Sequence, residues 1–277
     1  MRITVFGASG LLGKALVREL TTEQLTALSS KDADLRDPLQ VQRALRASRP
    51  ECIILSAAYT DVDGCESNRD RAFAVNCDGA VHVAQAAREV GSRLIFLSTD
   101  YVFDGSKGSP YEATDPRHPI NVYGESKAQA EERLLDILPD VCIVRTSWLF
   151  GPGGKCFPAT ILNLASARPE ISVVNDQRGS PTFTIDLASA IAQLCRKSAS
   201  GIVHATNSGD CTWYDFAREI VQMSRLSTAV KPVISAEFPR PARRPANSVL
   251  SHASLDAYGI QMPSWRDALR RYLRAGP

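Results

Sequence analysis

Short apolar runs alternating with amphipathic stretches constrain this chain more than any other feature. "ITVFGA" (3–8), "LTALS" (25–29), "CIILSAA" (52–58), "RLIFLST" (93–99) and "VCIVRTSWLF" (141–150) read as buried strands. Between them, stretches such as 69–90, "RDRAFAVNCDGAVHVAQAAREV", repeat alanine and valine at helical spacing. Strand, helix, strand repeated in this way is the signature of a doubly wound parallel sheet. The 277 residues, 44% of them hydrophobic, suit one large α/β domain or one such domain carrying a smaller lobe.

Past Trp148 the alternation loosens. It continues as "ISVVND" (171–176), a helix over about 184–197, "GIVHATN" (201–207), a helix over about 213–225 and the loop "EFPRPARRPANS" (237–248). The expected organisation is residues 1–150 as a dinucleotide-binding domain with the catalytic residues. Residues 151–277 are expected to form mainly a substrate-binding lobe over the strand ends, with some segments returning to the core.

Lys and Arg number 32 against 30 Asp and Glu, so a formal charge of +2 gives no reason to expect nucleic acid or a membrane surface as partner. Seven cysteines, an odd count with no C-x-x-C pair, read as thiols of a reducing compartment. No secretory leader is read in "MRITVFGASG" and no run reaches the ~18 apolar residues of a membrane span, so the expected location is the cytoplasm.

"GASGLLG" places Gly7, Gly10 and Gly13 after the first strand and at the start of the first helix. The spacing is G-x-x-G-x-x-G, yet it serves the needs of a Rossmann-like turn: a tight bend, backbone N–H groups open to a pyrophosphate, and close packing of helix on strand. After the second strand, "LSSKDADLRD" puts Ser29, Ser30 and Lys31 where an acid would bind a ribose 2′-OH, which favours NADPH, with NADH still possible. If the strand ended two residues later, Asp32 would be that acid. Asp34 and Leu35 are candidate neighbours of the adenine.

"LSTDYVFDG" (97–105) places Ser98, Thr99, Asp100 and Tyr101 at the carboxyl end of the fourth strand, where open α/β sheets bind ligands. A hydroxyl here can hold a substrate carbonyl, although a strand-end Ser or Thr is also an ordinary turn residue. "NVYGESK" (121–127) then sets Tyr123 and Lys127 on one helix face. A nearby ammonium favours the phenolate, which suits alcohol/ketone interconversion by hydride transfer. Alone, the pair also fits a solvated helix. The glycine turn, strand-end hydroxyl and Tyr-x-x-x-Lys in this order make the catalytic reading much stronger.

With these motifs the chain resembles the extended short-chain dehydrogenase/reductases, and within them the dTDP-4-dehydrorhamnose reductases. The narrower resemblance rests on "AAYTDVDGCES" (57–67), "STDYVFDG" (98–105), "NVYGESK" (121–127), "RTSWLF" (145–150), "NDQRGSPT" (175–182) and "RPANS" (244–248), collinear over nearly the whole chain. It implies a catalytic set of Thr99, Tyr123 and Lys127. It also implies a cofactor site of Gly7, Ser9, Gly10, Leu11, Leu12, Asp34, Leu35, Ala57, Ala58 and Tyr59, with Lys127 on the nicotinamide ribose. Asp100, Tyr101 and Trp148 would position the sugar of a nucleotide-sugar substrate, and Arg244, with Arg240 and Arg243 nearby, could meet its pyrophosphate. The implied reaction is reduction of the 4-keto group of dTDP-6-deoxy-L-lyxo-4-hexulose to dTDP-L-rhamnose.

Some of these reductases join a dimer through Mg²⁺ held partly by a glutamate of the first helix. Lys14 and Ala15 stand at that place, so no metal is expected and the chain is read as a monomer or homodimer. A nucleotide-sugar dehydratase would put a glutamate after the acid that follows the catalytic threonine; Tyr101 stands there instead. A 4-epimerase, or a partner-binding protein like the regulatory β subunit of methionine adenosyltransferase, remains an alternative.

Overall fold

The computed structural model describes residues 1–276. In chain order the first half runs β1 (Arg2–Phe6), α1 (Leu11–Glu19), β2 (Gln24–Leu28), α2 (Pro38–Ser48), β3 (Cys52–Leu55), α3 (Val62–Ser67), α4 (Arg69–Phe73), α5 (Gly79–Val90), β4 (Arg93–Thr99), α6 (Val122–Ile137) and β5 (Cys142–Thr146). The second half runs β6 (Leu149–Phe150), α7 (Phe157–Ala167), β7 (Glu170–Val174), β8 (Arg178–Gly179), β9 (Thr182–Phe183), α8 (Thr184–Arg196), β10 (Gly201–His204), β11 (Cys211–Thr212), α9 (Trp213–Met223), β12 (Ala229–Val233), α10 (Ala253–Asp256) and α11 (Trp265–Ala275).

Six strands form one parallel sheet in the order β10-β5-β4-β3-β1-β2. Helices cover both faces, so the strand interiors lack a polar face and read as continuous apolar runs. Ile3, Val5, Ile54, Ile95 and Val144 pack with Leu12 and Leu16 of α1 and Leu187 and Ile191 of α8. Phe6, Ile53, Leu55, Phe96 and Ile143 pack on the other face with α2, α5 and α6 through Leu45, Val83 and Leu134. A separate cluster of Phe150, Ile161, Phe183, Phe216, Trp265 and Tyr272 forms the core of the smaller lobe.

The chain leaves β1 for β2 on one side and returns to β3 on the other. That reversal opens a crevice at the carboxyl ends of β1 and β3, the place where such sheets bind ligands. Residues 201–204 join the sheet edge and α8 packs on α1, so both belong to the large layer and not to the lobe.

Two elements differ from the sequence expectation. The run 141–150 is not one strand, because Trp148 adopts a left-handed φ of 46° and separates β5 from the two-residue β6. The stretch 69–90 is interrupted by a π-helical segment at Ala74–Asp78. Asn76 within it accepts from Tyr59 N at 2.7 Å and donates to Ser126 Oγ at 3.0 Å, tying the loop after β3 to α6. No helix among the described residues is long and apolar enough to cross a membrane.

Candidate active site

A cleft of about 610 Å³ lies over the sheet's carboxyl edge, between the two lobes. Its floor begins at the glycine turn. Gly7 has φ of 86°, and a Cβ there would stand 2.6 Å from Ala57 N, so the turn needs both left-handed freedom and an absent side chain. A Cβ on Gly13 would overlap the carbonyl oxygen of Gly7. Gly10 caps α1 without a side-chain hydrogen bond, and the first turn carries no acid. Free N–H groups without a competing carboxylate suit a pyrophosphate, so these residues fit a dinucleotide. Gly13→Ala is expected to weaken NADPH binding at least about tenfold by forcing α1 off the turn, measured by fluorescence titration.

Ser9, Gly10, Leu11, Leu12, Ser30, Ala57 and Ala58 line the cleft with Gly7. Lys31, Asp34, Leu35 and Tyr59 do not stand on its wall. Lys31 is exposed, and Asp34 is engaged by Arg36 in an ion pair of 2.5 Å. Leu35 packs into the core, and its carbonyl oxygen lies 2.8 Å from His82 Nδ1. The Tyr59 ring lies under the Arg71 guanidinium. Asp32, the alternative ribose acid, accepts from the backbone and hydroxyl of Ser29 at 2.8 and 2.6 Å.

At the far end the candidate catalytic residues converge. Asn121 caps α6 by accepting from Gly124 N at 2.8 Å. A Cβ on Gly124 would overlap the Tyr101 carbonyl oxygen, which explains the glycine inside "NVYGESK": the helix must lie against the backbone after β4. Tyr123 stands beside Thr99, close enough for the hydroxyl to act on the phenol, and that hydroxyl donates to Asp100 Oδ1 at 3.0 Å. Lys127 is 1% exposed, with Nζ 3.9 Å from the centroid of the Phe96 ring, and it lines the same cleft.

Burial sets the protonation of this group. It raises the Tyr123 phenol above its ordinary value, aided by the Asp100 carboxylate and opposed by Thr99. The direction is opposite to the tuning expected from an ammonium four residues away, because the phenol is packed into the cleft beside the Asp100 carboxylate. Burial pulls Lys127 down to about 7, partly offset by Glu131. It pushes Asp100 up to about 7, offset by the hydroxyls of Ser248 and Thr99.

These last two shifts have opposite linkage. Between about 4 and 7 native Asp100 holds a proton that the unfolded chain has lost, so its contribution to stability falls as pH rises. Between about 7 and 10 the unfolded chain holds the Lys127 proton that the native protein has lost, so that contribution rises. Thermal unfolding across pH is expected to lose the acid limb in Asp100→Asn and the alkaline limb in Lys127→Met.

Behind the site, Ser98 Oγ donates to Glu131 Oε1 at 2.5 Å, and Arg145 reaches Glu131 Oε2 at 2.6 Å. Glu131 and Arg145 are both almost fully buried. His204 lies beside Arg145, and burial pulls its imidazole down to about 3, so it stays neutral.

The structure adds residues that the sequence reading did not assign. Trp148 stacks on Trp213 with centroids 3.5 Å apart, and both line the cleft. Trp213 opens α9 in the smaller lobe behind a capping box of Thr212 and Asp215, and nothing local to it points to the cleft. Thr146 is the register partner of Thr99 on the neighbouring strand, a position that strand alignment could have revealed. Thr146 Oγ1 and Asp100 Oδ2 are buried on the cleft wall without a hydrogen-bond partner among the described residues. Such atoms suit a polar ligand.

Arg244 is not on the cleft wall. It pairs with Asp63 at 2.5 Å and lies near Tyr101, which is on the wall. Lys14 Nζ donates to Gly153 O at 2.6 Å, joining α1 to the loop before α7.

Comparison with known proteins matches this architecture along its full length. The model of the RmlD substrate binding domain matches residues 1–276. The spore coat polysaccharide biosynthesis protein SpsK of Bacillus subtilis is 41% identical, over 99% of this chain and 97% of its own. The dTDP-4-dehydrorhamnose reductase of Mycobacterium tuberculosis is 40% identical, over 99% of this chain and 93% of its own. A crystal structure of dTDP-4-dehydrorhamnose reductase from Bacillus anthracis in complex with NADP superposes with a TM-score of 0.97 at 40% identity, covering 99% of both chains. The chain therefore belongs to the RmlD substrate-binding-domain family.

Proposed function

We propose that this protein is an NADPH-dependent oxidoreductase that reduces the 4-keto group of dTDP-4-dehydrorhamnose, giving dTDP-L-rhamnose, with Tyr123 as proton donor. The names of its relatives support the reaction, and the relative solved with NADP supports the cofactor. One observation carries the assignment of residues: Tyr123, Thr99, Asp100 and Lys127 meet on the wall of one cleft, with Thr99 hydrogen-bonded to Asp100, and that cleft opens on the uncapped start of α1. Residues 1–150 would supply most of the cofactor and catalytic groups, and 151–277 most of the lobe facing the sugar nucleotide. The enzyme would act in the cytoplasm as a monomer or homodimer.

The backbone N–H groups of Leu11 and Leu12 at the start of α1, with Ser9 and Ser30 nearby, would hold the dinucleotide. When bound, NADPH supplies the hydride for the sugar C4. A phenol raised by burial keeps its proton at neutral pH and releases it where negative charge develops on the substrate oxygen. Thr99, beside Tyr123 on the cleft wall, would orient that oxygen. The Lys127 ammonium, without a hydrogen-bond acceptor among the described residues, would favour the phenolate left on Tyr123. Trp148, stacked on Trp213 and packed against Gly179, gives the cleft an apolar surface for the sugar.

The test follows NADPH absorbance with enzymatically generated dTDP-6-deoxy-4-ketohexulose and identifies the sugar formed. Loss of absorbance with dTDP-L-rhamnose as product supports the reading. A folded protein that binds NADPH yet leaves this sugar unreduced would overturn it.

A further inference from the structure

The loop at residues 240–248 packs behind the cleft wall and makes four contacts with segments next to the candidate catalytic groups. Ser248 lies beside Asp100, and Asn247 N donates to Gly105 O at 3.2 Å. Asn121, the cap of the helix that carries Tyr123, donates through Nδ2 to Arg243 O at 2.9 Å. The fourth contact is a single carboxylate. Asp63 Oδ2 accepts from Arg240 Nε at 2.8 Å and from its Nη2 at 2.5 Å, while Oδ1 accepts from Arg244 Nη1 at 2.5 Å and Ala242 N at 3.2 Å.

One acid thus holds two guanidiniums and the backbone between them. The Asp63 and Arg244 side chains are 17% and 16% exposed, so the pair is largely shielded from water, whereas Arg240 is 51% exposed. Burial alone would raise the Asp63 carboxyl, but Arg244, the Ala242 N–H and Arg240 outweigh it and hold it at about 2. The carboxylate therefore stays charged at any working pH. Its two oxygens leave the Nε and Nη2 of Arg244 and the Nη1 of Arg240 uncommitted to it. The local sum of two cations and one anion is positive. Val62, next to Asp63, and Tyr101, near Arg244, both line the cleft.

We propose that Asp63 is a positioning residue for substrate recognition: it anchors the 240–248 loop and presents Arg244 and Arg240, already ordered, to the diphosphate of the nucleotide sugar. The inference rests on the proposed reductase reading and deepens it. Ordering two long cationic side chains before the ligand arrives removes an entropic cost from binding, and the fork of Arg suits phosphate oxygens. Asp63 touches neither the reacting carbonyl nor the cofactor turn, so its contribution belongs to sugar-nucleotide affinity.

Steady-state kinetics of Asp63→Asn, Asp63→Glu, Arg244→Ala and the Asp63→Asn/Arg244→Ala double variant test this, alongside calorimetric titration with dTDP alone. Asp63→Asn is expected to raise the KM for the keto sugar and weaken dTDP by about tenfold, with kcat and the NADPH KM within about twofold of wild type. Asp63→Glu restores part of the loss, and Asp63→Asn adds little once Arg244 is alanine. Tighter dTDP binding by Asp63→Asn would mean that the carboxylate competes with the substrate, and would overturn the proposal. Equal losses for NADPH and dTDP, or full additivity in the double variant, would reduce Asp63 to a fold residue. If Asp63→Asn does not fold, Asp63→Glu with the Arg244 single variant decides by the same split between the two ligands. Wild-type protein that neither turns over the keto sugar nor binds dTDP sinks the parent reading; active wild type with an unaffected Asp63→Asn sinks the anchor alone.

Discussion

Tyr123→Phe is expected to lower kcat for keto-sugar reduction by about 10²–10⁴-fold while NADPH affinity stays near wild type. The phenol hydroxyl is the group that faces Thr99, and its removal leaves the ring, the helix and the glycine turn in place. The ring itself is held independently, edge-to-face on Tyr101 with centroids 6.1 Å apart. Initial rates with saturating NADPH, paired with a cofactor titration of the same preparation, check the prediction. A variant that retains more than about a tenth of the wild-type rate would reassign the proton to another donor, and Asp100, linked through Thr99, would be next in line.

The second large effect concerns stability. Glu131→Gln removes the charge opposite Arg145, a guanidinium that is 1% exposed, and is expected to cost about 3–5 kcal/mol because a buried cation is left uncompensated. Urea unfolding by circular dichroism measures it. Replacing both partners with leucine should cost much less than the single change, since the Arg145 guanidinium is then no longer left inside without its carboxylate. Both variants should also disturb the site, because Ser98 Oγ bonds Glu131 and the Glu131 charge helps keep the Lys127 ammonium protonated. A Glu131→Gln protein as stable as wild type would show that Arg145 finds compensation in Ala113 O, His204 and Phe103, the other groups around it.

The parallel sheet was legible because burial on both faces turns strands such as Cys52–Leu55 into unbroken apolar runs. The glycine turn was legible for a similarly local reason: a bend at Gly7 and a helix start at Gly10 depend on neighbouring residues. The break at Trp148 was not legible, because a left-handed tryptophan inside an apolar run is held by Gly179 and Trp213, both distant in sequence. Arg244 was singled out as a candidate for the substrate pyrophosphate, but its commitment to Asp63 spans 181 positions and has no local signal.

By itself the sequence determined the α/β layering, the place of the dinucleotide turn and the spacing that sets Tyr123 and Lys127 on one helix face, since each depends on contacts within a few residues of the chain. Only the tertiary structure decided the protonation of that pair. Tyr123 is raised and Lys127 lowered by enclosure under strand ends, loop and lobe, and desolvation is a property of everything packed around a group, not of its neighbours in sequence.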